Sequence, residues 1–345
     1  MVKNRNILIG LAFILILAFF MLFYMGRQPD AVGGSDEAIS VSGFKLNTAV
    51  KITVYDSQDE EMLQEALKLC DKYERIFSRT REDSELYQLN HGTLPKADGW
   101  YMLSDELADL IEKGLYYSEL SEGTFDITIE PLSSLWDFTS EEKIVPDEQA
   151  LEEVQKLVGY EKVELQGNRF RFAEEGMGLE LGAIAKGYIA DRIKEFLVSK
   201  GVESAIIDLG GNVLCVGKRT DGGPFRVGIQ KPFAKRSETV ETTEIIDRSV
   251  VSSGVYERYF EKDDQFYHHI LNPKDGYPYD NGITSVTIIS EYSVDGDALS
   301  TSCFALGLEK GMELIDSLQD VRAVFITENG EIHFSDKFRE EKTGK

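Results

Sequence analysis

The sequence predicts an α+β domain of mixed sheets and packed helices, preceded by one N-terminal transmembrane helix. Residues 7–25 form an uncharged, mostly apolar run behind Lys3 and Arg5, and about twenty such residues in a helix span a bilayer core. Between residues 44 and 172, helix-period runs are interspersed with short alternating ones. From Gly178 onward the rhythm changes to short β-branched runs separated by glycine. Strands, helices and hairpin signals in this order suit α+β construction better than repeated βαβ winding.

Positive charge ahead of the apolar run keeps the amino terminus in the cytoplasm and places everything after Arg27 outside. The run ends Phe-Tyr-Met-Gly-Arg rather than in the small residues of a cleavage site, which favours a retained anchor over a signal peptide. None of the three cysteines, Cys70, Cys215 and Cys303, follows it closely, so lipid attachment there is excluded. Their odd number and wide spacing give no disulfide framework. The chain divides into an anchor (1–27), a flexible Pro/Gly/Ser-rich spacer (28–42), one domain (43–337) and a charged, frayed tail (338–345).

Within the domain, residues 44–55 read as a strand and 59–77 as an amphipathic helix. Ser104 and Asp147 are N-cap residues for helices reaching about 120 and 158. Residues 163–172 form a hairpin about Gln166-Gly167-Asn168. Helices follow at 184–199 and 298–306, with strands at 206–209, 225–229, 245–252 and 286–290. A hairpin around Glu328-Asn329-Gly330 closes the fold.

A formal charge of −24 argues against nucleic acid, which needs a basic surface. An anionic ligand would need local positive charge from a metal, a lysine or backbone amides. Four stretches ask for such a ligand: LELGAIAKGYIAD (179–191), IIDLGGNV (206–213), SSGVYERYF with HHILNPKDGYP (252–278), and VDGDALSTSCFALG (294–307). Asp297 and Thr301, four apart at a predicted helix start, share one face. They make half of a hard-cation site, since magnesium commonly takes only one or two protein carboxylates; the same pair also reads as an N-cap aspartate with a solvent-facing threonine. Glu180 and Lys186 flank a glycine turn opening a helix, where unpaired N–H groups favour anions and an ordinary helix start looks the same. Asp208, Gly210 and Gly211 follow an apolar run, as in a ligand-approach turn or a plain one. Histidine carries protons near neutral pH, and His268 beside His269 leaves two choices. Phe125 and Trp136, in GTFDITIEPLSSLW, stack on a flat ring or pack a core.

In this order, and with FSRTREDSELYQLN (77–90), the segments resemble the ApbE family, the FAD:protein FMN transferases, over nearly the whole chain after the spacer. The resemblance implies an ApbE-like, T-fold-like domain, magnesium as cofactor and FAD as substrate. The pyrophosphate is cleaved, FMN is joined to a threonine or serine of an acceptor redox protein, and AMP leaves. It implies metal ligands at Ala183 (through its carbonyl), Asp297 and Thr301. Flavin contacts fall on Thr124, Phe125, Asp126, Glu180, Lys186, His269 and Ile270, with Ser253, Gly254, Leu46 and Thr80 as further cofactor positions. Asp297 and His269 are the catalytic candidates, His269 as the base for the acceptor hydroxyl. The chain departs from the family at Glu180 (often aspartate), Thr80 (a tyrosine position) and Leu46 (usually methionine). The expected partners are FAD, the acceptor and the membrane, with no nucleic acid. The expected location is the cell membrane, single-pass, with the catalytic domain extracytoplasmic. A magnesium-dependent FAD pyrophosphatase and a non-catalytic flavin-binding ectodomain would use the same residues.

Overall fold

The computed structural model describes residues 37–138, 140–235 and 237–343, so the apolar run at 7–25 lies outside the described residues. Among those described, no helix is long and apolar enough to cross a membrane.

The stretch read as one strand is a hairpin, β1 (Ile39–Lys45) and β2 (Thr48–Val54), fully paired through Lys45 and Thr48. Leu46 and Asn47, at φ 54° and 56°, make its two-residue turn, the positive-φ geometry that matches strand twist. Residues 39–42, assigned to the spacer, therefore belong to the domain. Their polar composition reflects the exposed face of an edge strand.

α1 (Glu60–Phe77) starts where Asp59 accepts the Met62 N–H at 2.9 Å and buries Met62, Leu63, Ala66, Cys70, Tyr73 and Phe77. α2 (Glu85–Asn90), β3 (Lys96–Ala97), β4 (Trp100–Met102) and α3 (Asp105–Leu120) follow, α3 capped by Ser104. α4 (Glu130–Trp136) has Pro131 in its first turn. α5 (Glu148–Gln155), capped by Asp147, stops before 158 because the next carbonyls close turns instead. β5 (Val163–Gln166) and β6 (Arg169–Phe172) form the expected hairpin, with β4 alongside.

α6 (Ala185–Ser199) leads to β7 (Ser204–Leu209) and β8 (Val213–Gly217), joined at Gly210-Gly211. β9 (Phe225–Gln230) and β10 (Thr239–Ile245) pair separately, then β11 (Ser249–Gly254) returns to the main sheet. β12 (Tyr259–Lys262) and β13 (Gln265–His268) make a second small hairpin, and β14 (Ile283–Ser290) precedes α7 (Ser293–Leu306). α8 (Leu308–Ser317), β15 (Arg322–Thr327), β16 (Ile332–Phe334) and α9 (Asp336–Thr343) complete the described chain.

The main sheet has the order β1-β2-β7-β8-β11-β14-β15-β16. Every ladder between the named strands is antiparallel, which corrects the expectation of mixed sheets. α1, α6 and α7 pack on the sheet, and α3 packs on α1 and α7. The other side carries a smaller core in which Phe225, Ile229 and Ile245 meet Val250, Ile289 and Val324. With both faces covered, β14 is buried at every position. The described part of the tail, residues 338–343, is helical and not frayed: α9 seats Phe338, 2% exposed, in that smaller core. Lys342 pairs with Glu241 and Arg322 with Glu341. One buried aromatic outweighs the charge around it.

α7 begins at Ser293, earlier than the apolar pattern suggested, because Ser293, Gly296 and Ser300 are buried small residues that carry no periodic signal. All three cysteines are free and buried. Burial pushes the Cys70 and Cys215 thiols up to about 12, so they act as inert small hydrophobes.

Candidate active site

β8 pairs with β11 only through Val213 and Leu214, so past Val250 β11 keeps its β14 partner and its β8 side lies open. A cleft of about 300 Å³ lies at this opening, walled by the end of α1, the segments around 124–138, 180–186 and 269–273, and one side of α7. Leu46, Thr80, Thr124, Phe125, Asp126, Glu180, Ala183, Lys186, Ser253, His269, Ile270, Asp297 and Thr301 all line it. Of the expected residues only Gly254 does not. It is next to Ser253 along a strand and points to the opposite face, where a Cβ would stand 2.6 Å from the Tyr256 ring. Gly254 makes room for a tyrosine, not a ligand.

Asp297 lies in the second turn of a helix buried along most of its length and is itself 4% exposed. Its Oδ1 accepts from Asn212 Nδ2 at 2.9 Å and its Oδ2 from the Gly187 N–H at 2.5 Å. Burial pushes the carboxyl above the ordinary range, and the Lys186 charge is the chief opposing influence. Gly187 is obligatory here, because a Cβ would fall on the Ser293 carbonyl. Ser293 Oγ in turn donates to Asn212 Oδ1 at 2.7 Å.

The helices hold each other reciprocally. Asp191 of α6 accepts the Ser293 and Val294 N–H groups of α7 at 2.8 and 2.9 Å, while Asp297 of α7 accepts from the first turn of α6. Each carboxylate satisfies donors that a helix start leaves unpaired. Burial raises Asp191 to about 7, with its two backbone hydrogen bonds acting against the rise.

Thr301 Oγ1 lies one turn beyond Asp297 and 3.1 Å from Ser253 Oγ. The Gly187 N–H goes to Asp297, and among the described residues no backbone donor is directed at the Ala183 carbonyl. One buried carboxylate, one hydroxyl and one open carbonyl form an all-oxygen set that suits magnesium, whose remaining positions go to water and phosphate. No cluster of three or more acidic, histidine or cysteine side chains exists among the described residues to favour another metal.

The two histidines separate cleanly. His268 uses both ring nitrogens inside the fold, Nε2–H donating to the Tyr279 carbonyl at 2.9 Å and Nδ1 accepting from the Ile270 N–H. His269 faces the cleft. Its Nδ1 meets the Arg258 carbonyl at 3.2 Å and must donate, leaving Nε2 as an acceptor. Desolvation, then the Arg258 charge, pushes this imidazole down to about 3, so it is neutral.

Glu180 pairs with Arg79, which also approaches Glu130 and donates to Ser134, and Glu180 takes the Gly182 N–H at 2.8 Å. Asp126 is bound up in architecture: Oδ1 accepts from the Thr128 hydroxyl and N–H at 2.7 and 2.8 Å, and Oδ2 from the Tyr160 N–H at 2.9 Å. Sequence reasoning missed Asn212, Asp191, Arg79 and Arg258. Arg79 and Arg258 lie inside FSRTRED and SSGVYERYF, where a cation in an otherwise anion-seeking segment was the signal. In a chain of charge −24, the cleft brings Arg79, Lys186 and Arg258 to one wall system.

The ApbE family matches residues 46–325. An FAD:protein FMN transferase of Klebsiella pneumoniae is 36% identical over 86% of this chain and 91% of its own length. One from Treponema pallidum is 33% identical over 81% and 82%. Among solved structures, the ApbE protein of Thermotoga maritima superposes with TM-score 0.79 at 30% identity, covering 88% of this chain and 98% of that one.

Proposed function

The chain belongs to the ApbE family, and from that membership and the cleft we propose that it transfers FMN from FAD, with magnesium, to a threonine or serine hydroxyl of an acceptor protein, releasing AMP. The observation that carries the reading is the meeting of Asp297, Thr301 and the Ala183 carbonyl with Lys186 and Arg258 in one cleft. Bound magnesium would supply charge stabilisation at the phosphoryl oxygens.

The chain's own residues do the rest. Asp297, Thr301 and the Ala183 carbonyl would hold the metal, and the Asn212 and Gly187 donors fix the Asp297 carboxylate so that it presents its remaining lone pairs. Lys186 and Arg258 receive the pyrophosphate, offsetting the chain's overall acidity at that point. Thr124 and Phe125, braced by Asp126, and Ile270 border the ring system, while the Arg79–Glu180 pair closes one side. In the transfer the acceptor oxygen forms a bond to the FMN phosphorus and the bond to the AMP oxygen breaks, its electron pair leaving with AMP. The hydroxyl proton goes to His269 Nε2, left free by the contact of Nδ1 with Arg258. Burial chiefly holds the basicity of this imidazole down, and a phosphate brought near it offsets the added effect of the Arg258 and Lys186 charges.

The test incubates the full chain with FAD, magnesium and a threonine-bearing acceptor peptide, then weighs the peptide and separates the nucleotides. An FMN adduct with one equivalent of AMP supports transfer. Free FMN and AMP beside unmodified peptide would make the protein a pyrophosphatase, and intact FAD would leave only binding. We further propose that residues 7–25 anchor the enzyme with its domain outside the cytoplasm. Protease treatment of intact cells checks this, and a protected domain would refute it.

A further inference from the structure

Three hydroxyl groups form a chain of contacts between α7 and β11, ending at a proposed metal ligand. Ser300 of α7 is fully buried, and its Oγ lies 2.9 Å from the Asp297 carbonyl oxygen. On β11, Ser253 Oγ stands 2.7 Å from Ser300 Oγ and 3.1 Å from Thr301 Oγ1. The contacts therefore leave the helix at Asp297, cross to the strand and return at Thr301, one turn further on.

Each hydroxyl has one hydrogen to give and two lone pairs, and that count fixes the direction of every bond. A carbonyl oxygen only accepts, so the Ser300 hydrogen goes to Asp297. Were it turned to Ser253 instead, two oxygens would face each other at 2.9 Å with no hydrogen between them, at a fully buried position. With its hydrogen spent, Ser300 accepts from Ser253; with that one spent, Ser253 accepts from Thr301. The Thr301 hydrogen is thus directed at Ser253, and both Thr301 lone pairs stay uncommitted at the cleft this residue lines.

We propose that Ser253 and Ser300 are positioning residues for the metal: they draw the Thr301 hydrogen aside so that oxygen, and not hydrogen, meets the cation. This role rests on the metal reading above and reassigns Ser253, which serves Thr301 and not the flavin. A hydroxyl that ligates a cation must give its hydrogen to another acceptor, and here that acceptor is in place before any metal arrives. Partners behind the ligands orient them in metal sites generally.

The test uses manganese alone, a paramagnetic ion that shares magnesium's preference for oxygen ligands, and counts the free ion by electron paramagnetic resonance with the full chain in the absence of FAD. Ser253→Ala and Ser300→Ala should each weaken manganese binding about fivefold, the scale of one neutral hydrogen bond. Ser300→Ala is the sharper variant, because Ser300 is fully buried and reaches the metal only through its neighbours; should it fail to fold, Ser253→Ala at its half-buried position decides alone. Thr301→Val, which removes the hydroxyl, should weaken binding further. Adding Ser253→Ala to it should then change nothing more, the non-additivity expected where one residue acts through another. Unchanged manganese binding in Ser253→Ala overturns the proposal. Additive losses overturn it too, since Ser253 would then touch the metal itself, and so does a loss of FAD affinity in metal-free Ser253→Ala, which would make it a flavin contact. If the wild type binds no manganese, or Thr301→Val binds as the wild type does, the metal site itself fails and takes the relay with it.

Discussion

Gly187→Ala sets two physical effects of opposite sign against each other. Gly187 lies inside α6, and helix propensity alone predicts that alanine stabilises by roughly 0.5–1 kcal/mol. The added Cβ would fall on the Ser293 carbonyl and stand 2.7 Å from Val294 Cα. Both obstacles are backbone, so no side chain can swing aside and the two helices must separate. Overpacking of this kind costs about 1–3 kcal/mol. Separation also stretches the 2.5 Å bond from the Gly187 N–H to Asp297, and a hydrogen bond to a charged group contributes about 1.5–3 kcal/mol. The net expectation is a loss of about 2–5 kcal/mol, read in urea as a lower midpoint with unchanged slope. Magnesium-dependent turnover should fall with it, because the displaced carboxylate is the proposed metal ligand. A midpoint at or above the wild-type value would show that propensity wins and that the clasp between the helices is looser than the structure has it.

Three further outcomes follow from the same contacts. Asp297→Ala should abolish magnesium-dependent turnover in the peptide assay, and unchanged turnover would remove that residue from the mechanism. Burial raises the Asp191 pKa to about 7 in the fold from an ordinary 3.8, so between about pH 4 and 7 the folded chain holds a proton that the unfolded chain has released. Stability should therefore fall as pH rises through that window, by up to about 4 kcal/mol from this group; Asp297, also raised by burial, acts in the same direction. Urea midpoints at pH 5 and 8 check this, with Asp191→Asn flattening the difference; an equal slope in that variant would refute the assignment. Phe338→Ala should cost about 3–5 kcal/mol because its ring fills the smaller core beside Phe225 and Val324, and a thermal midpoint within a degree of wild type would return the tail to the frayed state its charge suggests.

What could be read from sequence was what local chemistry specifies. Asp59, Ser104 and Asp147 mark their helices through bonds to residues two or three positions on, and Gly167 and Gly330 mark turns by positive φ. The β1–β2 turn escaped notice because Leu46 and Asn47 are not the glycine pair that usually announces one. Strand sense and α9 escaped because they depend on partners far along the chain. The same holds inside the cleft: the motif residues were visible, but Asn212 meets Asp297 across 85 positions and Asp191 meets Ser293 across 102.

That distance resolves an ambiguity the sequence left open. Asp297 could be read as a helix cap or as a metal ligand, as though one excluded the other. The structure makes it a cap, though for α6 and not for its own helix, while the same carboxylate lines the cleft beside Lys186. A carboxylate has about four acceptor sites, and two internal donors leave about two for a cation. Holding the helices together and holding the proposed metal are therefore one arrangement. LGAIAKGYIAD and VDGDALSTS work as a unit because each supplies the aspartate that the other's helix start requires, and a change that loosens the clasp must also move the proposed metal site.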